Sequence, residues 1–337
     1  MSNLPFTGER FTPECVREMW YEHYHRYAFA RALVAGKSVA DIACGEGYGA
    51  ALLAQSASSV VGIDLSAEAI NHAQQRYAAQ TNLRFQQGDA TRLNLADASV
   101  DVISSFETLE HLAAQTELLA GFARVLKADG LLIISSPDKF SYSDQRQYQN
   151  EFHVRELYRA ELLDLLRTQF PQVRLYGQKL LFQSALWRLD GALESVQTHT
   201  AQANGAQLKP GLDYPPLYFV VVCARQPSAL PVLPDLDLFG DHDEAVYRHY
   251  EHEIRKNMQA GAVLNARDAE LAALRIELAE TQARLASTQV RLASLTALPA
   301  PASRSADPAE AATSQTISPT NDVVPVVADS ARAFPRV

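Results

Sequence analysis

The sequence predicts an α/β fold with a mainly parallel sheet covered by helices on both faces, followed by a separate helical extension. Between about Ser38 and Arg225, short segments rich in β-branched and aromatic residues alternate with segments of helical periodicity. Such alternation is typical of parallel strands joined by helices. Farther along the chain, leucines recur at heptad spacing, as in a coiled coil. The 337 residues suffice for one sizeable core and this extension.

Seven strands and four helices are predicted in and directly before the domain of residues 38–226. The helix before the first strand, REMWYEHYHRYAFARAL, is rich in aromatic residues, and we expect residues 1–37 to form a lid. The stretch from Leu180 to Pro216 is long for a connection, so a lid or pocket wall is expected there, in which FQSALWRLDGAL fits an amphipathic helix. The strands are predicted at Val39–Ala43, Val60–Ile63, Leu83–Gln86, Val100–Ser104, Leu131–Ser135, Val173–Tyr176 and Tyr218–Ala224, and the other helices at Ala67–Ala79, Gln115–Lys127 and Arg155–Thr168.

Charge and cysteine content restrict the function classes. The formal net charge of −9 argues against nucleic acid as a partner, because phosphate contacts need a basic face. Cys15, Cys44 and Cys223 show neither metal-ligand spacing nor a disulfide framework, which favours a reducing compartment. The opening MSNLPFTGER lacks an apolar signal core, and no apolar stretch is long enough to span a bilayer. We therefore expect a cytoplasmic protein without a transmembrane segment.

Three further segments follow the α/β domain. Residues 227–241 are rich in proline and predict a linker, residues 242–296 predict a helical or coiled-coil segment, and residues 297–337 predict a disordered tail. From Ala269, four heptads can be aligned as AELAALR, IELAETQ, ARLASTQ and VRLASLT, with leucine third in each and two leucines and two threonines in the sixth place. This seam predicts a homo-oligomer joined by a coiled coil. A solvated surface helix is the alternative.

A glycine-rich turn marks the first candidate site. Gly45, Gly47 and Gly49 follow the first strand, so they lie at the carboxyl end of the sheet, where small ligands bind in open α/β folds. Their spacing suggests that the backbone comes close to a ligand. A tight turn without a ligand is the alternative.

Aspartates near this turn indicate which ligand it serves. Asp64 ends the second strand, where a carboxylate can accept both hydroxyls of a ribose. NAD fits this far, because Gly45, Gly47 and Ala50 satisfy a loose dinucleotide pattern.

Two more acids favour a cationic ligand over NAD. Asp41 lies in the first strand and Asp89 closes the third, and a pyrophosphate binds best where negative charge is absent. A ligand with an ammonium and a sulfonium group instead favours carboxylates. S-adenosylmethionine has both groups, with its ribose at Asp64, its adenine amino group at Asp89 and its ammonium near Asp41.

The segments VADIACGEGYG, VVGIDLS, GDA, SSFETLEHL and VLKADGLLIISSPD together resemble the motif series of class I S-adenosylmethionine-dependent methyltransferases. The resemblance covers roughly Tyr24 to Ala224. It implies a Rossmann-like methyltransferase fold with a seven-stranded sheet whose last strand is antiparallel. It also implies that Asp41, Gly45, Gly47 and Gly49 surround the methionine moiety, that Asp64 binds the ribose, that Leu65, Asp89 and Ala90 contact adenine, and that Phe106 lies at the sulfonium end.

Finer resemblances suggest an acceptor. SFETLEHL and Arg26 resemble ubiquinone-biosynthesis O-methyltransferases, in which such an arginine binds the methionine carboxylate; a surface salt bridge is the alternative for Arg26. FTGERFTPE, NEFHVREL and the coiled-coil tail are more similar to methyltransferases of bacterial surface-glycan and O-antigen synthesis. The predicted function is O-methylation of a sugar or glycan intermediate. The alternatives are a quinone-like or other small hydroxylated acceptor, a non-catalytic scaffold and an NAD-dependent oxidoreductase.

Histidines are the candidate catalytic groups. His111 follows the fourth strand, and a histidine titrates near neutral pH, which suits a general base that deprotonates a hydroxyl. His153 is expected to reach the same cleft. The resemblance to the ubiquinone-pathway enzymes implies a divalent cation at Glu107, Glu110 and His111, whose ligand types suit such an ion. A packing role is the alternative for both histidines.

Overall fold

The computed structural model describes residues 18–191, 195–202 and 205–296. The opening segment with Cys15 and FTGERFTPE, and the predicted disordered tail, lie outside the described residues.

The domain is built on one seven-stranded sheet with the strand order β3-β2-β1-β4-β5-β9-β6. Neighbouring strands from β3 to β5 run parallel, whereas β9 runs antiparallel to both β5 and β6. The predicted mainly parallel sheet with an antiparallel last strand is therefore confirmed. The sheet comprises β1 (Ser38–Ile42), β2 (Ser59–Asp64), β3 (Leu83–Gln87), β4 (Val100–Ser105), β5 (Leu126–Pro137), β6 (Gln172–Gln178) and β9 (Tyr218–Ala224), while β7 (His199–Gln202) and β8 (Gln207–Pro210) form a separate hairpin.

Helices cover both faces of the sheet, as predicted. One hydrophobic cluster includes Leu53 and Ile70 on one face, and a second includes Leu118 and Leu166 on the other. Burying such aliphatic side chains contributes about 1.5–3 kcal/mol each, so each amphipathic helix is held mainly by its packed side. The helices are α1 (Glu18–Leu33), α2 (Tyr48–Ala54), α3 (Ala67–Arg76), α4 (Gln115–Val125), α5 (Arg159–Arg167) and α6 (Ala245–Thr296).

Two of the element boundaries that differ from the prediction have a clear tertiary cause. β5 begins at Leu126, where helical periodicity had extended α4 to Lys127, because Leu126 already pairs with β4 and its carbonyl accepts a hydrogen bond from Arg225. α5 begins at Arg159 instead of Arg155, since the carbonyl of Arg155 accepts from the side chain of Gln115. Tertiary hydrogen bonds thus override the local periodicity in both places.

The stretch from Leu180 to Pro216 contains no α-helix in its described part. The predicted amphipathic helix FQSALWRLDGAL has no regular structure over residues 182–191, and the chain continues into the β7–β8 hairpin. Its large apolar side chains are exposed, among them Leu186 and Trp187. Without a buried face, helical propensity alone does not hold so short a helix.

Residues 234–241, predicted to belong to a linker, pack against the outer face of α1. We call this segment the strap. Its polar contacts include one ion pair with a histidine and one hydrogen bond from a tyrosine, and an aromatic side chain packs beside them. These contacts are His25 Nε2 to Asp237 at 2.9 Å, Tyr21 Oη to Asp241 at 2.8 Å, and the ring of Phe239 beside those of Trp20, Tyr21 and His25.

The chain divides into two compact units, residues 1–258 and residues 259–337. The second unit contains most of α6, and the predicted leucine seam lies on this one continuous helix. That the seam pairs with another helix stays a prediction. Among the described residues, no helix is both long and apolar enough to cross a bilayer.

Candidate active site

A cleft of about 530 Å³ lies at the carboxyl edge of strands β1 to β4. The turn after each of these strands contributes to its wall, because parallel strands end at the same edge of a sheet. Six of the predicted cofactor residues line the cleft: Gly45, Asp64, Leu65, Asp89, Ala90 and Phe106.

The carboxylate of Asp64 is held at the rim by two backbone groups. The N–H of Gly45 donates to Oδ2 at 2.8 Å and the N–H of Ser66 donates to Oδ1 at 2.9 Å. A carboxylate has further acceptor positions on each oxygen, so the fixed group can still accept ribose hydroxyls.

The side chains beside Asp64 suit an adenine ring. Leu65 lines the cleft and is 72% exposed, so its side chain is available to pack against a planar ligand. Asp89 accepts hydrogen bonds from the side chain and backbone of Thr91, and these lower the pKa of its carboxyl. An ionised Asp89 is a suitable acceptor for an amino group.

Gly47 and Gly49 do not line the cleft, and protein packing explains why these positions are glycine. Gly47 has φ +89°, and a Cβ there would lie 2.6 Å from the ring of Phe85. A Cβ on Gly49 would lie 1.9 Å from the ring of Tyr27. The close approach inferred from the sequence is therefore, for these two glycines, an approach to aromatic side chains.

We expect Gly49→Ala to lower the free energy of unfolding by about 1–3 kcal/mol, because Tyr27 is buried and has little room to move. Gly121→Ala is the matched control, since it also adds a methyl group within a helix but meets nothing within 4 Å. The control should gain about 0.5–1 kcal/mol from the better helix former. Chemical denaturation of both variants tests this; equal effects would contradict the packing role.

Asp41 is fully buried behind the turn and does not line the cleft. The hydroxyl of Ser104 donates to Oδ1 at 2.7 Å, and that of Tyr27 lies 3.3 Å from both oxygens. Burial raises the pKa of this carboxyl to about 7, against the lowering effect of the two hydroxyls. The predicted contact with the ammonium of the cofactor stays a prediction.

The raised pKa of Asp41 makes stability depend on pH. Between an unfolded pKa of 3.8 and a folded pKa of about 7, the native state keeps a proton that the unfolded chain has lost. The free energy of unfolding should therefore fall as pH rises through this window. Glu22, whose pKa burial also raises to about 7, contributes with the same sign.

The measurement is denaturation of the cofactor-free protein at several pH values, with Asp41→Asn as the variant. Asparagine keeps an acceptor for Ser104 but cannot titrate, so its slope should be shallower than that of the wild type. An unchanged slope would show that Asp41 is not the responsible group.

Arg26 is buried, with 1% exposure, and it lines a second cavity on the other side of α1 instead of the cleft. Its Nε donates to Gln178 at 2.8 Å, its guanidinium lies over the ring of Tyr218, and Nη2 is 3.5 Å from Oε1 of Glu107. Nη1 and Nη2 have no hydrogen-bond partner. A buried cation with unsatisfied donors suits a carboxylate ligand, but Arg26 does not line the cleft, so its predicted contact with the methionine carboxylate stays a prediction.

Glu107 follows β4 with φ of 50°, in the left-handed region that non-glycine residues rarely adopt. Ser135 holds this conformation, because its hydroxyl accepts from the N–H of Glu107 at 3.0 Å and donates to Oε1 at 2.6 Å. Strain of this kind is found at functional sites. The strained turn directs the carboxylate of Glu107 towards Arg26.

A pair of histidines forms the end of the cleft that lies near β5. Nδ1 of His111 lies 3.0 Å from the carbonyl oxygen of Phe152, and the rings of His111 and His153 meet edge to face with centroids 5.0 Å apart. Nδ1 of His153 lies 2.5 Å from Glu156, and its Nε2 lies 3.0 Å from Asn150. The structure thus brings the two predicted catalytic residues together.

The same end of the cleft contains a group that suits a divalent cation. A carboxylate oxygen of Glu110 and one ring nitrogen each of His111 and His153 all lie within 4.8 Å of one another. Both carboxylate oxygens of Glu110 are buried without a hydrogen-bond partner, and burial raises the pKa of this carboxyl well above its usual range. Glu107, predicted as a ligand, is not in this group, because Ser135 and Arg26 surround its carboxylate.

Tyr142, Asn150 and Tyr218 also line the cleft, although the sequence analysis did not select them. Tyr218 begins β9 and pairs with Pro137, the last residue of β5. An antiparallel last strand begins at the edge where parallel strands end, so its first residue was predictable as a site residue. Tyr142 and Asn150 carry no comparable signal, since Tyr142 lies in a one-turn π-helix (Phe140–Asp144) and Asn150 in the irregular segment that follows.

A second cavity of about 940 Å³ lies on the other side of α1. The expected lid helix therefore separates two cavities: Met19, His23 and Tyr27 face the cleft, while other α1 residues face the second cavity. The long stretch between β6 and β9 lines the second cavity, as does the strap. The α1 residues on that side are Tyr21, Glu22, His25, Arg26 and Phe29.

Similarities to known proteins agree with this geometry. Residues 40–134 match the family model described as a methyltransferase domain. A probable S-adenosylmethionine-dependent methyltransferase of Mycolicibacterium smegmatis is 38% identical over 170 residues, which cover 50% of this chain and 65% of that protein. A ubiquinone biosynthesis O-methyltransferase of Coxiella burnetii is 30% identical over 115 residues, which cover 33% of this chain and 48% of that protein. The chain thus spans less than two thirds of the length of these relatives.

Among solved structures, the YcgJ protein of Bacillus subtilis aligns with a TM-score of 0.44 and 20% identity, over 60% of this chain and all of that one. The match of the family model runs from β1 into β5 and so includes the turns after β1 to β4 that line the cleft. The antiparallel position of β9 agrees with the arrangement that the motif series implied. Residues 40–134 therefore match a methyltransferase domain, and the name of the Mycolicibacterium smegmatis relative supports S-adenosylmethionine as its cofactor.

Proposed function

We propose that the protein transfers the methyl group of S-adenosylmethionine to a hydroxyl oxygen of a sugar or glycan intermediate in bacterial surface polysaccharide synthesis. The observation that carries this proposal is the histidine pair at one end of the cleft. Methyl transfer from a sulfonium is an in-line displacement with a built-in leaving group, so catalysis is largely positioning. A hydroxyl acceptor must also lose its proton, which requires a base near the methyl group.

His111 is the base in this proposal. The carbonyl oxygen of Phe152 can only accept a hydrogen bond, so Nδ1 of His111 carries the proton and Nε2 carries the lone pair. As the new C–O bond forms and the C–S bond breaks, the hydroxyl proton passes to Nε2. The products are a methyl ether and S-adenosylhomocysteine.

His153 has a positioning role in the same step. Glu156 fixes its Nδ1, and the hydroxyl of Ser143 in turn donates to Glu156 at 2.5 Å. The ring also stacks on Tyr142, with centroids 5.3 Å apart. A ring fixed on three sides can orient an acceptor beside His111.

A divalent cation at Glu110, His111 and His153 is the second use that this cluster supports. When bound, such an ion would polarise the acceptor oxygen. The buried oxygens of Glu110, which have no hydrogen-bond partner, favour this reading. Sensitivity of turnover to a chelator separates it from catalysis by an unassisted histidine.

The segment NEFHVREL supports a glycan acceptor. On sequence this segment resembles methyltransferases of surface-glycan synthesis, and it supplies the acceptor end of the cleft. Asn150 and His153 line that end, the carbonyl of Phe152 contacts His111, and Glu156 holds His153. The part of the chain with the glycan-type resemblance is therefore the part expected to contact the acceptor.

A quinone-like or other small hydroxylated acceptor is the alternative, and the name of the Coxiella burnetii relative favours it. A non-catalytic scaffold is the alternative from a different class. The cleft argues against a scaffold, because Asp64, Leu65 and Asp89 keep an arrangement that suits the cofactor.

The test supplies S-adenosylmethionine with a labelled methyl group to the full chain, with three kinds of acceptor. These are surface-polysaccharide oligosaccharides with free hydroxyls, catechols, and an extract fractionated by polarity. Label in an oligosaccharide methyl ether supports the proposal, whereas label in catechols alone supports the alternative acceptor. Failure to turn over with any acceptor supports the scaffold, and calorimetry with NAD and S-adenosylmethionine checks the cofactor separately.

A further inference from the structure

The C-terminal part of α6 presents a continuous apolar seam. Five leucines recur every seventh residue, and a second column lies three residues after each of them. The six leucines among them that lie from residue 271 onward are between 51% and 64% exposed. The first column is Leu264, Leu271, Leu278, Leu285 and Leu292, and the second column is Arg267, Leu274, Thr281, Thr288 and Leu295.

We propose that α6 pairs with α6 of a second copy of this chain, and that the two helices run antiparallel about a twofold axis between Ala279 and Glu280. Such an interface is isologous, because each copy presents the same surface to the other. Three observations on the described residues of α6 support this orientation: the order of leucine and threonine, the hydrogen bonds of the threonines, and the order of charges beside the seam.

In an antiparallel pair, leucines of one helix lie opposite the threonines of the other. In an antiparallel pair, the first column of one helix faces the second column of the other. Leu278 then faces the partner's Thr281, and Leu271 faces the partner's Thr288. In a parallel pair each threonine would face the same threonine of the partner. Two layers of the interface would then contain only these small side chains and would be poorly packed.

The threonines suit a buried seam because their hydroxyls are already hydrogen-bonded. The hydroxyl of Thr281 donates to the carbonyl of Glu277, and that of Thr288 donates to the carbonyl of Arg284, each at 2.9 Å. A threonine bonded in this way buries no unsatisfied donor and presents its methyl group to the partner.

The charges directly before the leucines reverse sign at the proposed axis. These positions are Glu270, Glu277, Arg284 and Arg291. In the antiparallel pair Glu270 meets the partner's Arg291, and Glu277 meets the partner's Arg284, so every one of these charges has an opposite neighbour. Each exposed pair is worth only about 0.2–1 kcal/mol, but together they select one orientation.

A parallel pair would use the same charges poorly. There each of these positions meets the residue five places later on the partner: Arg275, Gln282, Gln289 or Thr296. Only Glu270 would then have an oppositely charged neighbour. One feature is neutral: Arg267 faces the partner's Leu292 near the end of the seam, where a long side chain can reach water.

Cross-linking tests the orientation in the full chain. Cys15→Ser is the background, and Leu264→Cys and Leu295→Cys are introduced singly, since these residues face each other only in the antiparallel pair. We expect a disulfide-linked dimer when the two variants are mixed and little linkage within either alone. Linkage within each variant, with none between them, would establish a parallel pair and overturn the proposal.

Charge reversal tests the stoichiometry and the role of the charges. The double variant Glu270→Lys with Glu277→Lys, and the double variant Arg284→Glu with Arg291→Glu, should each self-associate at least tenfold more weakly than the wild-type dimer. An equal mixture of the two should re-form a dimer. Glu251→Lys with Glu280→Lys is the matched control, because it changes net charge equally on positions away from the seam. A wild-type monomer or trimer in sedimentation equilibrium would overturn the proposal.

Discussion

Replacing His111 by alanine is expected to lower kcat by about a hundredfold to ten-thousandfold and to leave the affinity for S-adenosylmethionine almost unchanged. The reason is that the role proposed for the imidazole is removal of the acceptor proton, not binding of the cofactor. Raising the pH should partly restore the variant, since the acceptor hydroxyl then ionises without help. Steady-state kinetics and calorimetry on the same preparation measure both quantities.

His199→Ala is the control for this experiment, because His199 lies exposed in β7 and lines neither cavity. If the cluster binds a cation, a chelator should abolish wild-type turnover, and Glu110→Gln should be as damaging as His111→Ala. If His111 only packs against the carbonyl of Phe152, the variant should melt at a lower temperature and keep its rate per folded molecule. That last result would direct attention to His153 as the base.

Asp64→Ala is expected to weaken binding of S-adenosylmethionine by about 2–4 kcal/mol, which is roughly a thirtyfold to thousandfold rise in Kd. Two losses combine here. The ribose hydroxyls lose a charged acceptor, and the N–H groups of Gly45 and Ser66 lose the carboxylate that orients them. Isothermal calorimetry with the folded variant provides the measurement.

Two comparisons show which of the losses dominates. Asp64→Asn keeps an acceptor for one backbone N–H, so it should bind the cofactor with intermediate affinity. Asp97→Ala removes an exposed carboxylate that pairs with Arg124, and it should bind like the wild type. Unchanged affinity in Asp64→Ala would remove the basis for placing the ribose at this residue.

The sheet was predictable because each strand carries its own signal. β-Branched runs separated by helical periodicity specify the parallel strands, and the glycine turn after β1 marks the edge where the cleft lies. The predicted ends of helices and strands were less accurate where a residue far along the chain determines them. At Leu126, for example, the carbonyl accepts a hydrogen bond from Arg225. A side chain so far along the chain leaves no trace in local periodicity.

The candidate site was predictable in part for a similar reason. Asp64 ends β2 and Phe106 directly follows β4, so their place at the edge follows from sequence order. The partners of His153 were not predictable, because Tyr142 lies in a short π-helix and Asn150 in an irregular segment, and neither structure has a sequence periodicity by which it could be recognised. The sequence explained the glycines by a close approach to a ligand. At Gly49 the structure shows another reason, because a side chain there would collide with the ring of Tyr27.

The strap has a consequence for how the chain is made. Synthesis starts at the N-terminus, so α1 emerges from the ribosome about two hundred residues before the strap that covers its outer face. During that interval Trp20 and Tyr21 lack the ring of Phe239 that packs beside them in the finished protein. Contacts between such distant parts of the chain form slowly, because a long loop must close first. The helix that separates the two cavities is thus synthesised well before the segment that packs on it, and Trp20 and Tyr21 stay more exposed on the nascent chain until the strap closes over them.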